Sequence, residues 1–254
     1  EGVFHNLVII SIDKRFPMQA RRLMNALWGM GQMSFVKTIV VVDSTIGVHD
    51  TEEIFNLLLN KVDFNRDLFF SEGILDVLNH ASDRALYGSK LGIDATNKIE
   101  GEDGFETKLE SSRKIPPLLP IKVLEKFEEI ISCRIIERKG LNQVAFTTLD
   151  KKCPHQGRRL IDKFMSDQEC SSIAILIVLE DHEDVNDTSA VLWKVLNNID
   201  PKRDMHYYEK RLGIDVTCKT GEDGYSQNWP DEIEMSREVR QTIDQKWKKM
   251  FNEL

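Results

Sequence analysis

Two lysines beside glycines form the most suggestive chemical pattern in this sequence. Residues 87–98 read YGSKLGIDATNK, which places Lys90 and Lys98 close to Gly88 and Gly92. Glycine lets a ligand approach the backbone closely, and two ammonium groups attract an anion such as a carboxylate or a phosphate. The same pattern is typical of a hairpin that packs on a neighbouring domain. The residues alone leave both interpretations open.

A histidine lies just upstream of this pattern, in the apolar segment ILDVLNHA. His80 is therefore the candidate for acid–base chemistry among the six histidines of the chain. None of the six shows the HxxxH or HExxH spacing that is typical of a metal site. A structural role for His80 is favoured over a catalytic one.

Three other segments match functional motifs only in part. GMGQMS at 29–34 ends a helix and leads into a strand, whereas a dinucleotide fingerprint runs from strand to helix, so we interpret its glycines as a helix C-cap. EDHEDVND at 180–187 lacks the glycine and the terminal Glu of a calcium loop, so we interpret it as a solvated loop. GEDG, present in each half of the chain, is interpreted as a turn. The sequence contains neither a P-loop nor a nucleophile elbow.

Composition limits the class of protein. The net charge of −8 argues against a general affinity for nucleic acid or anionic lipid, and no apolar run has the length of a membrane span. The chain begins at Glu1 without a signal peptide, so we expect a processed or excised piece of something longer. Four cysteines without CxxC spacing indicate reduced thiols in a cytoplasmic protein: Cys133, Cys153, Cys170 and Cys218.

An internal repeat organises the elements that carry these residues. A shift of 137 aligns residues 6–70 with 143–207 without a gap, and a shift of 121 then aligns LGIDATNK at 91–98 with LGIDVTCK at 212–219. The second copy is thus 16 residues shorter, and the missing part falls within 71–90 of the first copy. Because a duplicated scaffold keeps what folding needs, we expect the segment that only one copy retains to carry function.

Each copy reads as strand, helix, strand, helix, strand. In the first copy, continuous apolar runs at 6–12 and 37–43 predict strands buried on both faces, and helical spacing predicts helices at about 17–30 and from Asp50 onward. DLFF predicts a third, short strand, and the second copy repeats the order. The pattern predicts an α/β fold, with two tandem Rossmann-like parallel-sheet domains related by the internal repeat.

The predicted domains occupy 1–131, which carries the insert 71–98, and 132–254. A Pro-marked linker and a helix close each copy, the first as IPPLLPIKVLEKFEEII. The helix that closes the second copy is amphipathic, and it packs either on its own domain or on another subunit. Its predicted apolar stripe contains Ile233, Val239, Ile243, Trp247 and Phe251.

With these elements in place, the sequence resembles the C-terminal domain of UbiD-type decarboxylases. The resemblance is carried by HNLVIISIDKRFPMQARRLMNALWGMGQMSFVKTIVVVD, LDVLNHA and GSKLGIDATNK in the first copy and by DVND, DPKRD and LGIDVTCKTGED in the second. It covers nearly the whole chain and is closest to the longer members, which are linked to quinone biosynthesis. Usual members carry one copy, so for the shortened second copy we expect a structural or oligomeric role.

The resemblance implies a parent enzyme, a carboxy-lyase of ubiquinone or menaquinone biosynthesis, that releases CO2 from an aromatic or α,β-unsaturated acid. Such enzymes use prenylated FMN with a divalent metal (Mn or Mg) and potassium. The cofactor ligands and the catalytic Arg and two Glu belong to the N-terminal domain of the family. No catalytic or metal-ligating residue is therefore carried over to this chain, and no cofactor is expected to bind it. The implied function is that of a lid and oligomerisation portion that has no activity alone.

The resemblance also implies where this portion meets its partners, which are the N-terminal flavin-binding domain of its own polypeptide and further copies. By position, Leu75, Leu78 and His80 are candidates for the wall of the substrate pocket. The marker GSKLGIDATNK is expected to form a loop, with these residues as its candidates: Gly88, Ser89, Lys90, Gly92, Asp94, Thr96 and Lys98. The alternative function is a Rossmann-like module that binds a nucleotide or an acidic metabolite beside Lys90 and Lys98.

Overall fold

The computed structural model of the chain describes residues 5–105, 121–136, 143–232 and 235–251. Ile233 and most of the predicted linker at 106–120 lie outside the described residues. Within the described ranges, no helix is both long and apolar enough to cross a membrane.

The first repeat is built on a four-stranded sheet in the order β1-β2-β4-β3. Strands β1, β2 and β4 are parallel, and β3 is antiparallel to β4. The strands are β1 (Leu7–Ile12), β2 (Thr38–Asp43), β3 (Leu68–Ile74) and β4 (Tyr87–Asp94), and the helices are α1 (Gln19–Trp28) and α2 (Thr51–Asn60).

The second repeat is built on a five-stranded sheet in the order β5-β6-β7-β9-β8. Its strands are β5 (Ser132–Ile136), β6 (Gln143–Leu149), β7 (Ile173–Glu180), β8 (Met205–Tyr208) and β9 (Arg211–Asp215). The helices from this point of the chain onward are α3 (Ile121–Leu124), α4 (Gln156–Ser166), α5 (Thr188–Asn198), α6 (Pro201–Asp204) and α7 (Arg237–Phe251).

Local sequence signals set the ends of several helices. The side chain of Asp50 accepts a hydrogen bond from the Glu53 backbone N–H, so of Asp50 and Thr51, the two N-cap candidates in the sequence, it is Asp50 that caps α2. The repeat conserves this device, since Asp187 caps α5 in the same way. Gly29 follows the last turn of α1, which confirms its interpretation as a C-cap.

The strand registers confirm the internal repeat. Phe70 pairs with Leu91 in the first sheet, and Tyr207 pairs with Leu212 in the second, so both sequence shifts hold in three dimensions. The 16 residues that the second copy lacks lengthen the hairpin between β3 and β4. The corresponding connection between β8 and β9 is a turn at Glu209 and Lys210.

The α/β fold with tandem repeats is confirmed, and two details of it are corrected. The last two strands of each repeat form an antiparallel hairpin, because the connection between them, 75–86 in the first repeat and 209–210 in the second, contains no helix that could make a crossover. The predicted marker loop is mostly strand, since 87–94 form β4. Its glycines suggested a loop, but they serve close packing instead: a Cβ on Gly92 would lie 2.4 Å from Met24 Sδ.

The end of the first repeat packs on the second. Helix α3 is a single turn, so the predicted helix does not continue through 125–131. The chain turns there because Val123 and Phe127 enter the core of the second repeat, where the Phe127 ring lies 5.0 Å from that of Phe164. The boundary at residue 131 stays a prediction.

The two repeats meet through equivalent surfaces. Phe70 contacts Tyr207, its own counterpart in the repeat, with ring centroids 5.9 Å apart. Lys202 Nζ pairs with Glu72 at 2.5 Å, and Asn65, the counterpart of Lys202, donates to the backbone carbonyl of Glu209, the counterpart of Glu72. Such reciprocal contacts define an isologous, pseudo-two-fold interface within one chain.

Candidate functional site

The carboxyl ends of β1, β2 and β4 surround an open pocket of about 270 Å³. This edge is where open α/β sheets bind ligands, because the loops there converge on one crevice. The polar part of the lining comes from the strand ends and the turn after β4: Asp13, Lys14, Asp43, Ser44, Thr45 and Asn97. The pocket is therefore the first place to look for a binding function.

The ammonium group of Lys14, which lines this pocket, is already bound by acceptors of the protein itself. Lys14 Nζ donates to Thr96 Oγ1 at 2.9 Å and to the Asn97 carbonyl at 3.1 Å, and it forms an ion pair with Glu102 at 2.5 Å. Three acceptors satisfy the three donors of an ammonium group. The carboxylate of Asp43 is likewise engaged, by Lys61 Nζ at 3.3 Å.

The second repeat contains the same network at the same edge. Lys151 Nζ pairs with Asp223 at 2.9 Å and donates to the Cys218 carbonyl. Asp223 also accepts from the His155 backbone N–H, as Glu102 accepts from that of Met18. Since the copy without the insert keeps the network, we interpret it as an architectural device that fixes the edge loops.

The two lysines of the marker segment have internal partners as well. Lys90 is 2% exposed and donates to the carbonyls of Ser34 at 2.7 Å and Val36 at 2.9 Å, and burial lowers its pKa to about 8. Lys98 Nζ lies 3.0 Å from Asp67 and 3.1 Å from Asp94. Both ammonium groups thus have partners inside the fold, which does not favour the interpretation as an anion site.

The remaining marker residues also have architectural contacts. Thr96 donates its backbone N–H to Asp94 Oδ1 at 3.0 Å, and this shapes the turn after β4. Ser89 bonds to Asp200 of the second repeat, and its Oγ accepts from the Lys202 backbone N–H at 3.0 Å. A Cβ on Gly88 would lie 2.0 Å from Ser82 Oγ, so the close approach that glycine permits is to the protein itself.

The three candidates for a pocket wall occupy different environments. Leu75 is fully buried, whereas Leu78 is 79% exposed at the far end of the hairpin. His80 is partly buried: Nε2 lies 3.2 Å from Asn198 Oδ1, the ring packs edge-on against Trp229 at 5.2 Å, and burial lowers its pKa. Their place in a substrate pocket stays a prediction.

The long hairpin packs on the second repeat, which is one of the two interpretations that the sequence left open. The Tyr225 hydroxyl donates to the His80 carbonyl at 2.7 Å, and Arg203 Nη2 donates to the Ala81 carbonyl at 2.9 Å. Gln227 Nε2 donates to the carbonyl of Asp83 at 2.8 Å. The hairpin therefore fixes the two repeats relative to each other.

A buried lysine at this junction was missed by the sequence analysis. Lys37 Nζ donates to Asn79 Oδ1 at 3.0 Å in the hairpin and to the carbonyls of Asn197 at 3.3 Å and Ile199 at 3.2 Å in the second repeat. Burial lowers its pKa to about 7. The usable signal was a difference between the copies, because alanine occupies the equivalent position 174.

Among the described residues, one group of side chains has a donor set that could suit a metal ion. His182, Glu183 and Glu232 place their ligand atoms within 4.8 Å of one another. Lys194 Nζ lies 2.5 Å from Glu183 and also pairs with Glu232, so an internal ammonium already binds both carboxylates. This arrangement does not fit a divalent metal, and the pocket of about 270 Å³ with its engaged lysine does not fit a flavin phosphate.

Two stretches of the described chain expose several apolar side chains each. The long hairpin exposes Ile74, Val77, Leu78, Leu86 and Tyr87. Helix α7 exposes Val239, Ile243, Trp247, Met250 and Phe251, which follow helical spacing along one stripe. Exposed apolar patches of this kind are typical of interaction sites.

Comparison with known proteins gives a family and several relatives. The family described as 3-octaprenyl-4-hydroxybenzoate carboxy-lyase C-terminal domain matches residues 1–95 and 114–225. Uncharacterised proteins from two Helicobacter pylori strains are 32% and 31% identical over 96% of this chain. An Archaeoglobus fulgidus protein is 40% identical over 45% of the chain. The chain spans 38% of the length of the Helicobacter relatives and 26% of the Archaeoglobus one.

Solved structures of UbiD-class enzymes also match. HmfF from Pelotomaculum thermopropionicum, in complex with FMN, is 29% identical over 42% of this chain and 23% of its own, with a TM-score of 0.34. The open form of Sedimentibacter hydroxybenzoicus vanillic acid decarboxylase is 20% identical over 48% of this chain and 25% of its own, with a TM-score of 0.38.

Proposed function

This chain belongs to the family of 3-octaprenyl-4-hydroxybenzoate carboxy-lyase C-terminal domains, and on that premise we propose that it is the lid and oligomerisation portion of a UbiD-type decarboxylase. The parent enzyme removes CO2 from an aromatic or unsaturated carboxylic acid in quinone biosynthesis. It uses prenylated FMN and Mn or Mg, which its N-terminal domain holds. The parent works in the cytoplasm, which the free thiols of the four cysteines support.

One observation carries the proposal that this portion is architectural. The lysines that chemistry would use first, Lys14, Lys90 and Lys98, all bind acceptors of the fold. All three arrangements recur in the second repeat, where Lys151, Arg211 and Lys219 take the places of Lys14, Lys90 and Lys98. Charged groups that have the same role in both repeats serve the scaffold. The exposed apolar surfaces are therefore the candidates for binding partners.

The physical role of such a portion is to orient the substrate and to exclude water. Decarboxylation develops carbanion character, which the flavin would accommodate when bound elsewhere in the parent. Closure of a domain over that centre removes bulk water and fixes the acid relative to it. The rigid junction formed by Lys37, Tyr225 and Arg203 would let both repeats move as one body.

The first experiment measures cofactor retention and turnover by the 254-residue chain. The chain is mixed with prenylated FMN and Mn²⁺, passed over a desalting column, and assayed for CO2 release from a panel of aromatic and unsaturated acids. We expect neither retained flavin absorbance nor CO2. Tight retention of the flavin by this chain alone would overturn the division of labour that we propose.

The second experiment tests the oligomerisation role of α7. We expect Trp247→Glu, or removal of residues 232–254, to lower the molar mass measured by light scattering, because Trp247 is 61% exposed on the apolar stripe. Gln245→Glu adds the same charge about half a turn away from Trp247 and is the matched control. An unchanged mass in the truncated chain would remove α7 from the proposal.

A further inference from the structure

Strand β1 is an edge strand whose counterpart is covered. The first sheet begins at β1, and no strand within the described ranges pairs with its outer side. In the second repeat the equivalent strand β6 pairs on that side with β5, antiparallel. Every residue of β6 is buried, whereas none of the residues of β1 is, and Ser11 is exposed.

The neighbouring helices show the same difference. In α4, Leu160 and Phe164 are fully buried beneath Val123 and Phe127, which precede β5. Their counterparts in α1, Leu23 and Leu27, are only partly buried. As far as the structure describes the chain, one continuous surface, formed by β1 and the adjacent face of α1, therefore lacks the cover that residues 121–136 give to the second repeat.

The sequence of β1 is unsuited to a free edge. LVIISI has neither a charge nor a proline, and an open apolar edge strand pairs with other chains unless it is blocked. Proteins protect such edges with lysine, proline, bulges or a covering segment. Strand β1 contains no lysine and no proline, and its pairing with β2 has no bulge, so a covering segment is the device left for it.

We propose that a segment of the parent polypeptide upstream of residue 1 adds to β1 as an antiparallel strand. This proposal rests on the proposed function, in which this chain is the C-terminal portion of a longer enzyme, and it identifies the surface that receives the preceding part. β5 pairs with Val144–Thr148, so the equivalent register on the first repeat is Leu7–Ser11. An apolar turn before the added strand packs on Leu23 and Leu27.

Connectivity favours this occupant. In the second repeat the covering strand ends at Ile136 and β6 begins at Gln143, so the cover comes from the chain directly before the core strand. The same spacing before Leu7 falls upstream of residue 1, and the Helicobacter relatives contain further chain, since this one spans 38% of their length. Helix α7 of a second copy could cover α1 but could not form a ladder with β1.

Hydrogen exchange read by mass spectrometry tests the proposal. Peptides covering residues 6–12 are compared between the 254-residue chain and the full parent polypeptide, and peptides covering 143–149 serve as the internal reference. We expect the β1 amides on the open side to exchange at least about tenfold faster in the 254-residue chain, while β6 is unchanged, because exchange follows local opening. Equal protection in both chains would show that β1 is already covered and would overturn the proposal.

A concentration series distinguishes a second copy from the upstream segment. Protection of β1 that rises with concentration of the 254-residue chain to the level of the parent would assign the edge to self-pairing and overturn the proposal. Leu27→Gln in the parent should restore fast exchange in β1, whereas Asn25→Gln on the exposed side of α1 should not. Circular dichroism checks that both variants fold. Flavin retention is measured separately, so a parent that lacks prenylated FMN but protects β1 would refute only the proposed function.

Discussion

Lys37 should make the stability of this protein increase with pH in the neutral to alkaline range. Its ammonium is buried between the repeats, which lowers its pKa from the ordinary 10.5 to about 7. The carboxylates of Asp200 and Asp204 oppose this shift, and the guanidinium of Arg203 adds to it. The unfolded chain therefore binds more protons than the folded chain between pH 7 and 10.5.

The sign and size of this pH dependence follow from proton linkage. Where the unfolded state binds more protons, the free energy of unfolding rises with pH, here by at most about 1.4 kcal/mol per pH unit. Lys37 thus destabilises the folded state fully below pH 7, and the penalty disappears as the pH approaches 10.5. Between pH 7 and pH 9 the gain amounts to about 2 kcal/mol.

Urea denaturation of the unsubstituted 254-residue chain and of its Lys37→Met variant, at pH 7, 8 and 9, isolates the contribution of Lys37. The variant leaves three acceptors near position 37 without their donor, which adds an offset that does not depend on pH. The informative quantity is therefore how the difference in the free energy of unfolding between the two chains changes with pH, and not the size of that difference at one pH. Lys246→Met on the exposed α7 is the control and should give no such change. If the free energy of unfolding changed with pH in the same way for the unsubstituted chain and for Lys37→Met, this would falsify the assignment of a buried, titrating amine.

Three further substitutions test one contact between the repeats and two contacts within the second repeat. Gly213→Ala should cost about 2 kcal/mol in the free energy of unfolding, because the new Cβ would lie 2.2 Å from Ile161 Cγ2, whereas Gly221→Ala, with no atom within 4 Å, should be nearly neutral. Tyr225→Phe should cost about 1–2 kcal/mol through loss of the donor to the His80 carbonyl, measured by urea denaturation against the partly exposed Tyr87→Phe. Burial by itself would raise the pKa of Asp223, but the His155 backbone N–H and the Lys151 ammonium outweigh it and hold the pKa well below its usual range. Asp223 therefore stabilises the fold above about pH 4, and this contribution is lost as the pH falls further. Asp223→Asn should lower the free energy of unfolding by about 3 kcal/mol at pH 7 and by much less near pH 2. At pH 7 it should also cost more than Asp244→Asn on α7. Equal costs of Asp223→Asn at both pH values would contradict the pairing.

The duplication shows which parts of the family marker are architectural. Asp94, Thr96 and Lys98 have counterparts in Asp215, Thr217 and Lys219, and both sets form the same turn and ion pair. A marker that a shortened, insert-free copy retains is maintained by folding. Function is better sought in what the copies do not share, which is the long hairpin and the uncovered edge of β1.

The sequence by itself determined the repeat, the α/β class, the start of α2 near Asp50, and the exact length difference between the copies. These features are local or periodic, so apolar alternation and residue spacing are sufficient to specify them. The tertiary structure decided that 87–94 form a strand, that the hairpin packs on the second repeat, and that Lys37 and Lys90 are buried. Those outcomes depend on contacts between distant parts of the chain, such as Tyr225 with His80. A lysine in a sequence has the same local signature whether its ammonium meets water or the carbonyl groups of another repeat.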